Sequence, residues 1–496
     1  MTFTLRFSVG LITLAILNSV QVAQCSPHVQ ATRSTSASSS AVSVSLDGVT
    51  YVNKGIVGFG LIPSNFVDSL GDTMGGFGSA IAFKLGTWKD LGNGSYTGTL
   101  EAHPDRGFNV ITTIDYRSRQ HEIDFLFTPY TGSDNLDFAT AQQTLQLDYI
   151  DTVVQFDRNG GNTSGLDALG VRAAENGFLV DPFTAPLADP EMPIANKSYQ
   201  HLTIDAEGLV ANSDGTYWVR NLDFTSVTNP ATGRVDNQGL TLDAENNILY
   251  AMLQSATVQD GGTDKTTSRY TRMLAYDVAN PTVTRPSLVG EWVVPLPVST
   301  SKSTTRACSE IHFVSENIFF ALSHDGNGNG DGTSTSDTTS KYKQADLFSI
   351  ADATNIVGSE FDDPSNPVAP KGVLVDSITP ATYISFVNYI DDVQLARFGL
   401  HNGKLISDSQ CRGDENSTLV NEKWESLALA PVGDPSTPND YFLFTVSDND
   451  FLTEDGISLG VPYNAGVNVD NQFLVFQVTL PSVPSGSVQK AIGISS

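Results

Sequence analysis

Short runs in which apolar and polar residues alternate follow one another along almost the whole chain, with Gly, Asn, Asp or Pro between them. A period of two is typical of β-strands that bury one side. Residues 108–116 and 122–127 are two such runs, and the polar residues between them predict a hairpin turn at 117–121. Only residues 137–147 have a helical pattern, and it is weak. The pattern therefore predicts an all-β fold.

One longer pattern recurs: a polar start, a first strand, a turn, and an aromatic-led second strand with a polar or acidic end. Copies are found at residues 78–105, 207–220, 237–253, 309–325 and 425–450. Each is predicted to be the inner hairpin of a small sheet that cannot bury both faces alone. Radial stacking of such sheets predicts a single β-propeller of six or seven blades with long loop insertions, and a pair of β-sandwiches is the alternative. The last strand, residues 472–480, is expected to close the ring by pairing near residues 42–46.

The N-terminal residues have the composition of a secretory signal. Arg6 precedes an apolar run at 7–17, and a small-residue exit follows near Cys25. The apolar run is too short to cross a bilayer. We therefore expect a signal peptide at 1–25, a Ser-rich disordered leader at 26–41, a propeller domain at 42–482 and a C-terminal tail at 483–496. The predicted location is secreted and extracellular.

Secretion changes how the cysteines and the Asn-x-Ser/Thr sequences are interpreted. Loss of Cys25 with the signal leaves Cys308 and Cys411, for which an oxidising compartment predicts a disulfide. Two buried free thiols are the alternative. Four asparagines are candidate glycosylation sites: Asn93, Asn162, Asn196 and Asn416.

The chain is strongly acidic, with 27 Lys and Arg against 55 Asp and Glu and a formal net charge of −28 at pH 7. Nucleic acids need clusters of Lys and Arg, so we expect no nucleic-acid partner. An acidic surface keeps a secreted protein soluble, and it also offers oxygen ligands to hard cations. Ca²⁺ is therefore the cofactor that the composition favours.

If the repeated hairpins are blades, the residues that open one strand and end its neighbour cluster at one end of a central channel. A ring of carboxylates and amides at such a mouth is suited to a cation and a ligand. The residues concerned are Asp105, Arg106, Glu207, Asn237, Glu310, Asp325, Glu425, Asp448, Asn449 and Asp450.

At these residues the chain resembles the phytase-like domain family, described by the phrase "esterase-like activity of phytase". The matching segments are 75–79, 103–107, 205–208, 237–239, 309–311, 324–328, 423–425 and 447–451. The resemblance implies a propeller fold and a hydrolase activity, with the acidic and amide residues above as the site. The chain departs from the family at Thr241, where relatives often have a further Glu, so one candidate acid is missing.

Two further motifs bear on the chemistry. Residues 325–332 match the first half of a calcium loop, but Ser336 stands where the last ligand would be Glu. A calcium loop on the propeller and a flexible Gly/Asn loop are the two interpretations. The Gly-x-Ser-x-Gly motif at 456–460 lacks the strand and helix of a nucleophile elbow, so we do not expect a nucleophilic Ser458.

Two functions remain open. The first is a secreted hydrolase of phosphate or carboxyl esters, assisted by a metal at the channel mouth. In this hypothesis Glu207, Glu310, Glu425 and Arg106 are catalytic. Asp105, Asn237, His324 and Asn449 bind the ligand, and Asp325, Asp448 and Asp450 hold the metal.

The second function is a non-catalytic binding module for a glycan or a protein partner. It predicts exposed aromatic side chains near the channel, with Trp218 and Trp424 as the first candidates. In the first case the ligand is a small-molecule ester. In both cases we expect a monomer without a membrane partner.

Overall fold

The computed structural model describes the backbone of residues 41–105, 116–156, 160–164, 170–172, 174–175, 178–179, 192–194, 202–203, 206–211, 217–221, 223–225, 234–280, 286–330, 338–363, 365–403 and 416–494. At 164–207, at 212–238 and at 416, only the backbone of the described residues is considered. The structural statements below refer to this part of the chain.

Most of the described secondary structure is β-strand, as the alternating pattern predicts. The strands are β1 (Val42–Leu46), β2 (Val49–Ile62), β3 (Ala80–Phe83), β4 (Lys89–Asp90), β5 (Tyr96–His103), β6 (Arg119–Phe127), β7 (Leu145–Val154), β8 (Thr163–Ser164), β9 (Gly170–Arg172), β10 (Ala174–Glu175), β11 (Phe178–Leu179), β12 (Met192–Ile194), β13 (Leu202–Thr203), β14 (Ala206–Ala211), β15 (Tyr217–Asn221), β16 (Asp223–Thr225), β17 (Arg234–Asp243), β18 (Ile248–Leu253), β19 (Tyr270–Asp277), β20 (Ser287–Pro295), β21 (Cys308–Ser315), β22 (Ile318–His324), β23 (Lys343–Ser349), β24 (Thr382–Asn388), β25 (Lys423–Pro431), β26 (Asp440–Asp448), β27 (Gly456–Ser458), β28 (Val461–Tyr463) and β29 (Asn471–Thr479).

Helices are few and short in the described residues. They are α1 (Phe138–Gln142), α2 (Asp392–Arg397) and α3 (Ser487–Ala491), with single turns of other helix types at Phe77–Ser79, Val258–Gly262, Glu360–Asp362, Pro370–Gly372 and Asn416–Thr418. The fold is therefore all-β. The helical pattern predicted at 137–147 shrinks to α1, because Asp137 caps its start and β7 begins at Leu145.

One sheet joins the two ends of the described chain. Its strand order is β1-β2-β29-β26-β25, and β2 pairs antiparallel with β29 from Val52 to Ile62. The prediction that residues 472–480 pair near 42–46 is wrong by one strand. A tight turn at Asp47 and Gly48, both with positive φ, folds β1 onto the outer side of the longer and better buried β2.

The other large sheets follow sequence order. They are β3-β5-β6-β7 with β4 beside β5, β16-β17-β18-β19-β20, and β21-β22-β23-β24. The smaller sheets are β8-β13-β12-β9, β14-β15, β10-β11 and β27-β28. Predicted hairpins at 237–253, 309–325 and 425–450 correspond to β17–β18, β21–β22 and β25–β26. The predicted turn at 117–121 is wrong, since β6 runs through it and pairs with β5 and β7.

Five strands from five different sheets meet around one cavity. β3 contacts β14, β14 contacts β17, β17 contacts β21, β21 contacts β25, and β25 contacts β3 again. All five strands line the same cavity of about 480 Å³. We call them the inner strands. Because their contacts return to the starting strand, they surround a common centre.

Glycines allow two neighbouring inner strands to approach closely. A Cβ on Gly239 would lie 2.9 Å from the backbone nitrogen of Ile311, and one on Gly208 would lie 2.6 Å from Leu240 Cβ. Any larger residue at these positions therefore requires β14, β17 or β21 to move. Glycine here sets the spacing of the inner strands.

Each of four inner strands has a register shift near its start. The shifts lie between Ala206 and Leu209, between Asn237 and Gly239, between Cys308 and Glu310, and between Trp424 and Ser426. A bulge of this kind twists the strand and changes where a side chain points. The same irregularity therefore recurs at the strand end that carries the predicted acids.

Aromatic side chains fill the space between two sheets. One contains β25, β26 and β29, and the other contains β3 to β7. Trp88 stacks on Tyr96 with ring centroids 5.2 Å apart, and Phe127 meets Phe442 edge to face at 4.9 Å. Such pairs add about 0.5–1.5 kcal/mol each beyond the burial of their area. This core holds β3 against β25, the strand that carries Lys423 and Glu425 of the candidate site.

Candidate functional site

Five charged side chains meet where β25 begins and β26 ends. Lys423 and Asp448 are cross-strand partners of this hairpin, and Glu425 follows two residues after Lys423. Asp105 lies two residues after His103, the last residue of β5. Asp450 lies in the turn after β26. We call Lys423, Asp105, Glu425, Asp448 and Asp450 the lysine–carboxylate cluster.

Lys423 is the centre of this cluster. Its Nζ lies 2.5 Å from Asp448 Oδ2 and 2.8 Å from Asp450 Oδ1. Longer contacts of 3.4 Å and 3.5 Å join it to Asp105 Oδ2 and Glu425 Oε2. One ammonium therefore faces four carboxylates in a largely buried place, which leaves an excess of negative charge when all are ionised.

The pKa values in the cluster follow from this imbalance. Burial opposes the charge on Lys423, but the surrounding carboxylates raise its pKa well above the usual value. Burial raises the pKa of Glu425, but Lys423 and His324 outweigh it and lower that pKa to about 2. The pKa of Asp448 is raised well above its usual value, because burial and three neighbouring acids outweigh Lys423. Glu425 is therefore ionised near neutral pH, whereas burial and the neighbouring acids favour the protonated form of Asp448.

The turn after β26 is held in an uncommon backbone conformation. Asp450 and Phe451 both have positive φ, at 49° and 57°. Asn449 stabilises this turn, since its Oδ1 accepts hydrogen bonds from the backbone nitrogens of Gly76 and Phe451 and its Nδ2 donates to Val469 O. Left-handed non-glycine residues are strained and cluster at functional sites. Asn449, predicted to bind a ligand, is buried and engaged in this turn.

A second group of contacts surrounds Glu425. Ser79 Oγ donates to Glu425 Oε2 at 3.1 Å, and His324 Nε2 lies 3.7 Å from Glu425 Oε1. Glu425 is buried, while the His324 side chain keeps 15% of its surface exposed. The structure therefore brings Asp105, Asp448, Asp450 and Glu425 together, as the repeated pattern predicts, and places His324 beside them.

The tautomer of His324 follows from its contacts. His324 Nδ1 lies 3.0 Å from Asp325 O, and a carbonyl oxygen only accepts, so Nδ1 carries a proton. In the neutral ring Nε2 then has a lone pair, which faces the carboxylate of Glu425. The 3.7 Å gap is too long for a direct hydrogen bond. A donor such as a water molecule or a substrate hydroxyl can lie beside the two atoms, within hydrogen-bond distance of both.

Glu310 takes part in different contacts from those of Glu425, its equivalent in the pattern. Its Oε1 accepts hydrogen bonds from the backbone nitrogens of Leu240, at 3.0 Å, and Ile311, at 2.7 Å. Glu310 therefore links β21 to β17. Thr241, where the family often has a Glu, makes a similar link, because the Phe313 backbone nitrogen donates to its Oγ1.

Asp325, predicted as a metal ligand, is engaged on several sides. Ser340 Oγ and the Lys341 backbone nitrogen each donate to it at 2.6 Å, and Lys343 Nζ lies 3.6 Å away. In the following loop, Asn329 bridges to Asn421. Asp331 to Asp337 lie outside the described residues, so the predicted calcium loop is seen only in its first half.

Several predicted residues cannot be placed in the site. Arg106, Cys411 and Asn196 lie outside the described residues, and of Glu207, Asn237, Trp218 and Asn416 only the backbone is described. The Cys308 thiol is buried and donates to Glu310 O, and burial raises its pKa. Its disulfide with Cys411 stays a prediction, as do the glycosylation sites. Asn93 is exposed and Asn162 is half-buried.

Sequence reasoning missed the two residues that organise the site, Lys423 and Ser79. Both lie in segments quoted for the family resemblance, at 423–425 and 75–79. A lysine between Glu422 and Trp424 in a chain this acidic was the available signal. The prediction for Trp424 is wrong: its side chain is fully buried, donates to Asn421 O and packs edge to face on Tyr389.

Three carboxylates of the cluster have the spacing of metal ligands. Asp105, Asp448 and Asp450 each offer an oxygen within 4.8 Å of the other two. Two oxygens bound to one Ca²⁺ at 2.3–2.6 Å lie no more than about 5 Å apart. The donor chemistry therefore fits Ca²⁺, and Lys423 competes for the same oxygens.

The described residues define an all-β protein with a lysine–carboxylate cluster at one end of a ring of inner strands. None of the described helices is long and apolar enough to span a membrane. No protein-family model matches the chain. The chain belongs to the same family as a protein of Arthroderma benhamiae named "Uncharacterized secreted protein", with 33% identity over 484 residues, 82% of this chain and 89% of the relative.

Proposed function

We propose that the chain is a secreted β-propeller of the phytase-like type. The ring of contacts among five inner strands and the bulge that recurs at their starts support the propeller. The signal-like N-terminus and the name of the Arthroderma benhamiae relative support secretion. The matching segments at 75–79 and 423–425 support the family, because they contain Ser79, Lys423 and Glu425.

The proposed activity is hydrolysis of a phosphate or carboxyl ester at the lysine–carboxylate cluster. One observation carries it: the 3.7 Å gap between His324 Nε2 and Glu425 Oε1, beside a buried cluster with shifted pKa values. Perturbed titratable groups that converge in this way are typical of catalytic sites. Two acceptors 3.7 Å apart can both bind one water molecule that lies beside them, at about 2.8 Å from each.

The roles follow from the contacts. A water molecule bound to both atoms donates one hydrogen bond to Glu425, which stays ionised. It donates the other to His324 Nε2, the general base. As the water oxygen attacks the phosphorus or carbonyl carbon, His324 takes that proton and then gives it to the leaving alkoxide. Lys423 keeps Glu425 ionised. Arg106, the next residue after Asp105 in the chain, is proposed to hold the anionic oxygen of the ester.

Ca²⁺ is the proposed cofactor of the same cluster. Asp105, Asp448 and Asp450 would hold it, with Asp450 the most exposed of the three. Ca²⁺ held there would neutralise the excess of negative charge and would supply Lewis-acid stabilisation of an anionic ester oxygen. The ammonium of Lys423 already neutralises part of this negative charge.

The alternative is a binding module without catalysis. It predicts exposed aromatic side chains near the site, and the burial of Trp424 removes one of the two candidates. Trp218 is the other. The geometry around Glu425 therefore favours the enzyme.

The test is release of nitrophenol from p-nitrophenyl phosphate and p-nitrophenyl acetate, with Ca²⁺ and with a chelator. Glu425→Gln and His324→Asn are expected to lower kcat at least about 100-fold, the usual contribution of a general base. Asn at 324 retains a donor for Asp325 O and loses Nε2, so it separates catalysis from folding. Glu316→Gln, at an exposed turn, is the matched control and should keep full activity.

Either of two results would overturn the proposed activity. The first is a folded wild-type protein without turnover on either ester. The second is turnover that both site variants retain while their thermal unfolding matches the wild type. Retention on a glycan array without turnover would favour the binding module.

A further inference from the structure

The cavity surrounded by the inner strands is separate from the residues assigned to ester hydrolysis. Its volume is about 480 Å³, within the 300–1,000 Å³ of small-molecule sites. Leu209, Leu240 and Leu427 line it from β14, β17 and β25, and Val488 and Ile492 line it from the C-terminal segment. Lys423 and His324 are not among its lining residues.

The walls of the cavity are mainly apolar, and polar groups on two of its sides, β17 and β21, are already hydrogen-bonded. Glu310 accepts from two backbone nitrogens, and Thr241 accepts from Phe313 N. Asp243 accepts from the backbone nitrogens of Glu245 and Asn246. These groups have little capacity left for a charged ligand.

His312 is different. It lines the cavity from β21, it is half-buried, and no described residue hydrogen-bonds to its imidazole. Burial lowers its pKa to about 4, so the ring is neutral near pH 7 and offers one donor and one acceptor. Its ring nitrogens keep some access to solvent, so the hydroxyl or carbonyl group of a ligand can reach them and form a hydrogen bond.

The charges at the edge of the cavity narrow the class of ligand. Glu245, Glu316 and Lys490 are exposed lining residues, and acids outnumber the single lysine. With a net charge of −28 on the whole chain, an organic anion is disfavoured. Inside the cavity His312 is neutral, and the carboxylates of Glu310 and Asp243 already accept hydrogen bonds from backbone nitrogens.

We propose that the central cavity binds an uncharged, largely apolar small molecule with one hydroxyl or carbonyl group, which hydrogen-bonds to His312. The apolar side chains of the inner strands bury the body of the molecule. The C-terminal helix α3 covers one side of the site through Val488 and Ile492.

The experiment uses the full-length secreted protein and a neutral apolar fluorophore, N-phenyl-1-naphthylamine, whose emission rises in an apolar site. Saturable binding of one probe per chain is expected. Ala211→Phe places a large ring in the cavity and should weaken binding at least tenfold. Ala279→Phe, the same change at an exposed turn, is the matched control and should bind as the wild type does.

Competition with 1-naphthol and naphthalene tests the role of His312. On the wild type, 1-naphthol should displace the probe at a concentration several-fold lower than naphthalene does. His312→Leu should still bind the probe but lose this preference. Absence of saturable binding by the folded wild type, or equal binding by Ala211→Phe, would refute the proposal. An unchanged preference in His312→Leu would refute the hydrogen bond. None of these results depends on ester turnover.

Discussion

Lys423 determines the electrostatics of the candidate site. Its ammonium contacts four carboxylates, two of them at 2.5 and 2.8 Å. A buried ion pair adds little net stability, but removal of one partner leaves the others uncompensated. The consequence is testable, since the carboxylates remain after the lysine is replaced.

Lys423→Met is expected to destabilise the protein by about 3–5 kcal/mol, the usual cost of breaking a buried charge network. Chemical denaturation at pH 7 measures it. Lys54→Met is the matched control, because Lys54 pairs with the single carboxylate of Asp440 and its side chain is 34% exposed. This control should lose no more than about 1 kcal/mol.

The effect of Lys423→Met should shrink in acid. Glu425, with its pKa lowered from 4.5 to about 2, contributes stability above pH 4.5 that is lost as the pH falls towards 2. The variant lacks much of this contribution, so its stability and that of the wild type should converge between pH 4.5 and 2. Added Ca²⁺ should stabilise the variant more than the wild type. Equal stability of Lys423→Met and Lys54→Met would contradict the assigned role.

At the scale of the elements, the inner strands and their bulges position the site. The hairpins β17–β18, β21–β22 and β25–β26 could be predicted from sequence, because alternation, turn residues and aromatic second strands are local signals. The position of Lys423 in the site could not be predicted from such local signals. Its contact with Asp105 joins it to a residue that follows β5 of another sheet and is distant in the sequence.

The same contrast separates the other correct and incorrect predictions. Glu425 and Asp448 were placed correctly because each ends or opens a strand of one hairpin. The exposure predicted for Trp424 was wrong, since its burial depends on Tyr389 from a segment far along the chain. Asp325 is likewise engaged by Ser340 and Lys343, which lie beyond an intervening loop in the sequence. Long-range packing leaves no signal in a short stretch of sequence.

Gly239→Ala tests the close approach of the inner strands. Its Cβ would lie 2.9 Å from the Ile311 backbone nitrogen, so β17 and β21 must separate. We expect a loss of about 1–3 kcal/mol, as for other overpacked cores, measured by denaturant unfolding. The control is Gly326→Ala, whose Cβ would meet only the flexible end of Glu422 at 3.2 Å. Similar stabilities for the two variants would show that the spacing is not set at Gly239.

At the scale of the whole molecule, the sheet of β1, β2, β29, β26 and β25 joins the two ends of the described chain. β29 lies in its interior, paired on one side with β2 and on the other with β26. The sequence indicated such a closure, but the register and the identity of β2 as the partner required the structure. Alternation alone does not distinguish two neighbouring strands of similar composition.

Val475→Pro tests the role of this sheet. Val475 is fully buried and lies opposite Gly58 of β2 and Phe444 of β26, and a proline there removes a ladder hydrogen bond in a central strand. The whole protein should then unfold at lower denaturant concentration in one transition. Ser43→Pro, in the outermost strand β1, should change the midpoint far less. A variant in which only part of the protein melts early would show that the sheet does not hold the molecule together.

The pairing of β2 with β29 also has a consequence for the order of events during synthesis. β2 begins at Val49 and its partner begins at Asn471, so β2 leaves the ribosome long before the strand that covers it exists. Until then β2 is an apolar edge strand, which invites association with other chains. A chain of this topology cannot complete its fold while its synthesis is under way. β2 keeps one unpaired edge until β29 has been made, and the native state forms only after this last strand has followed.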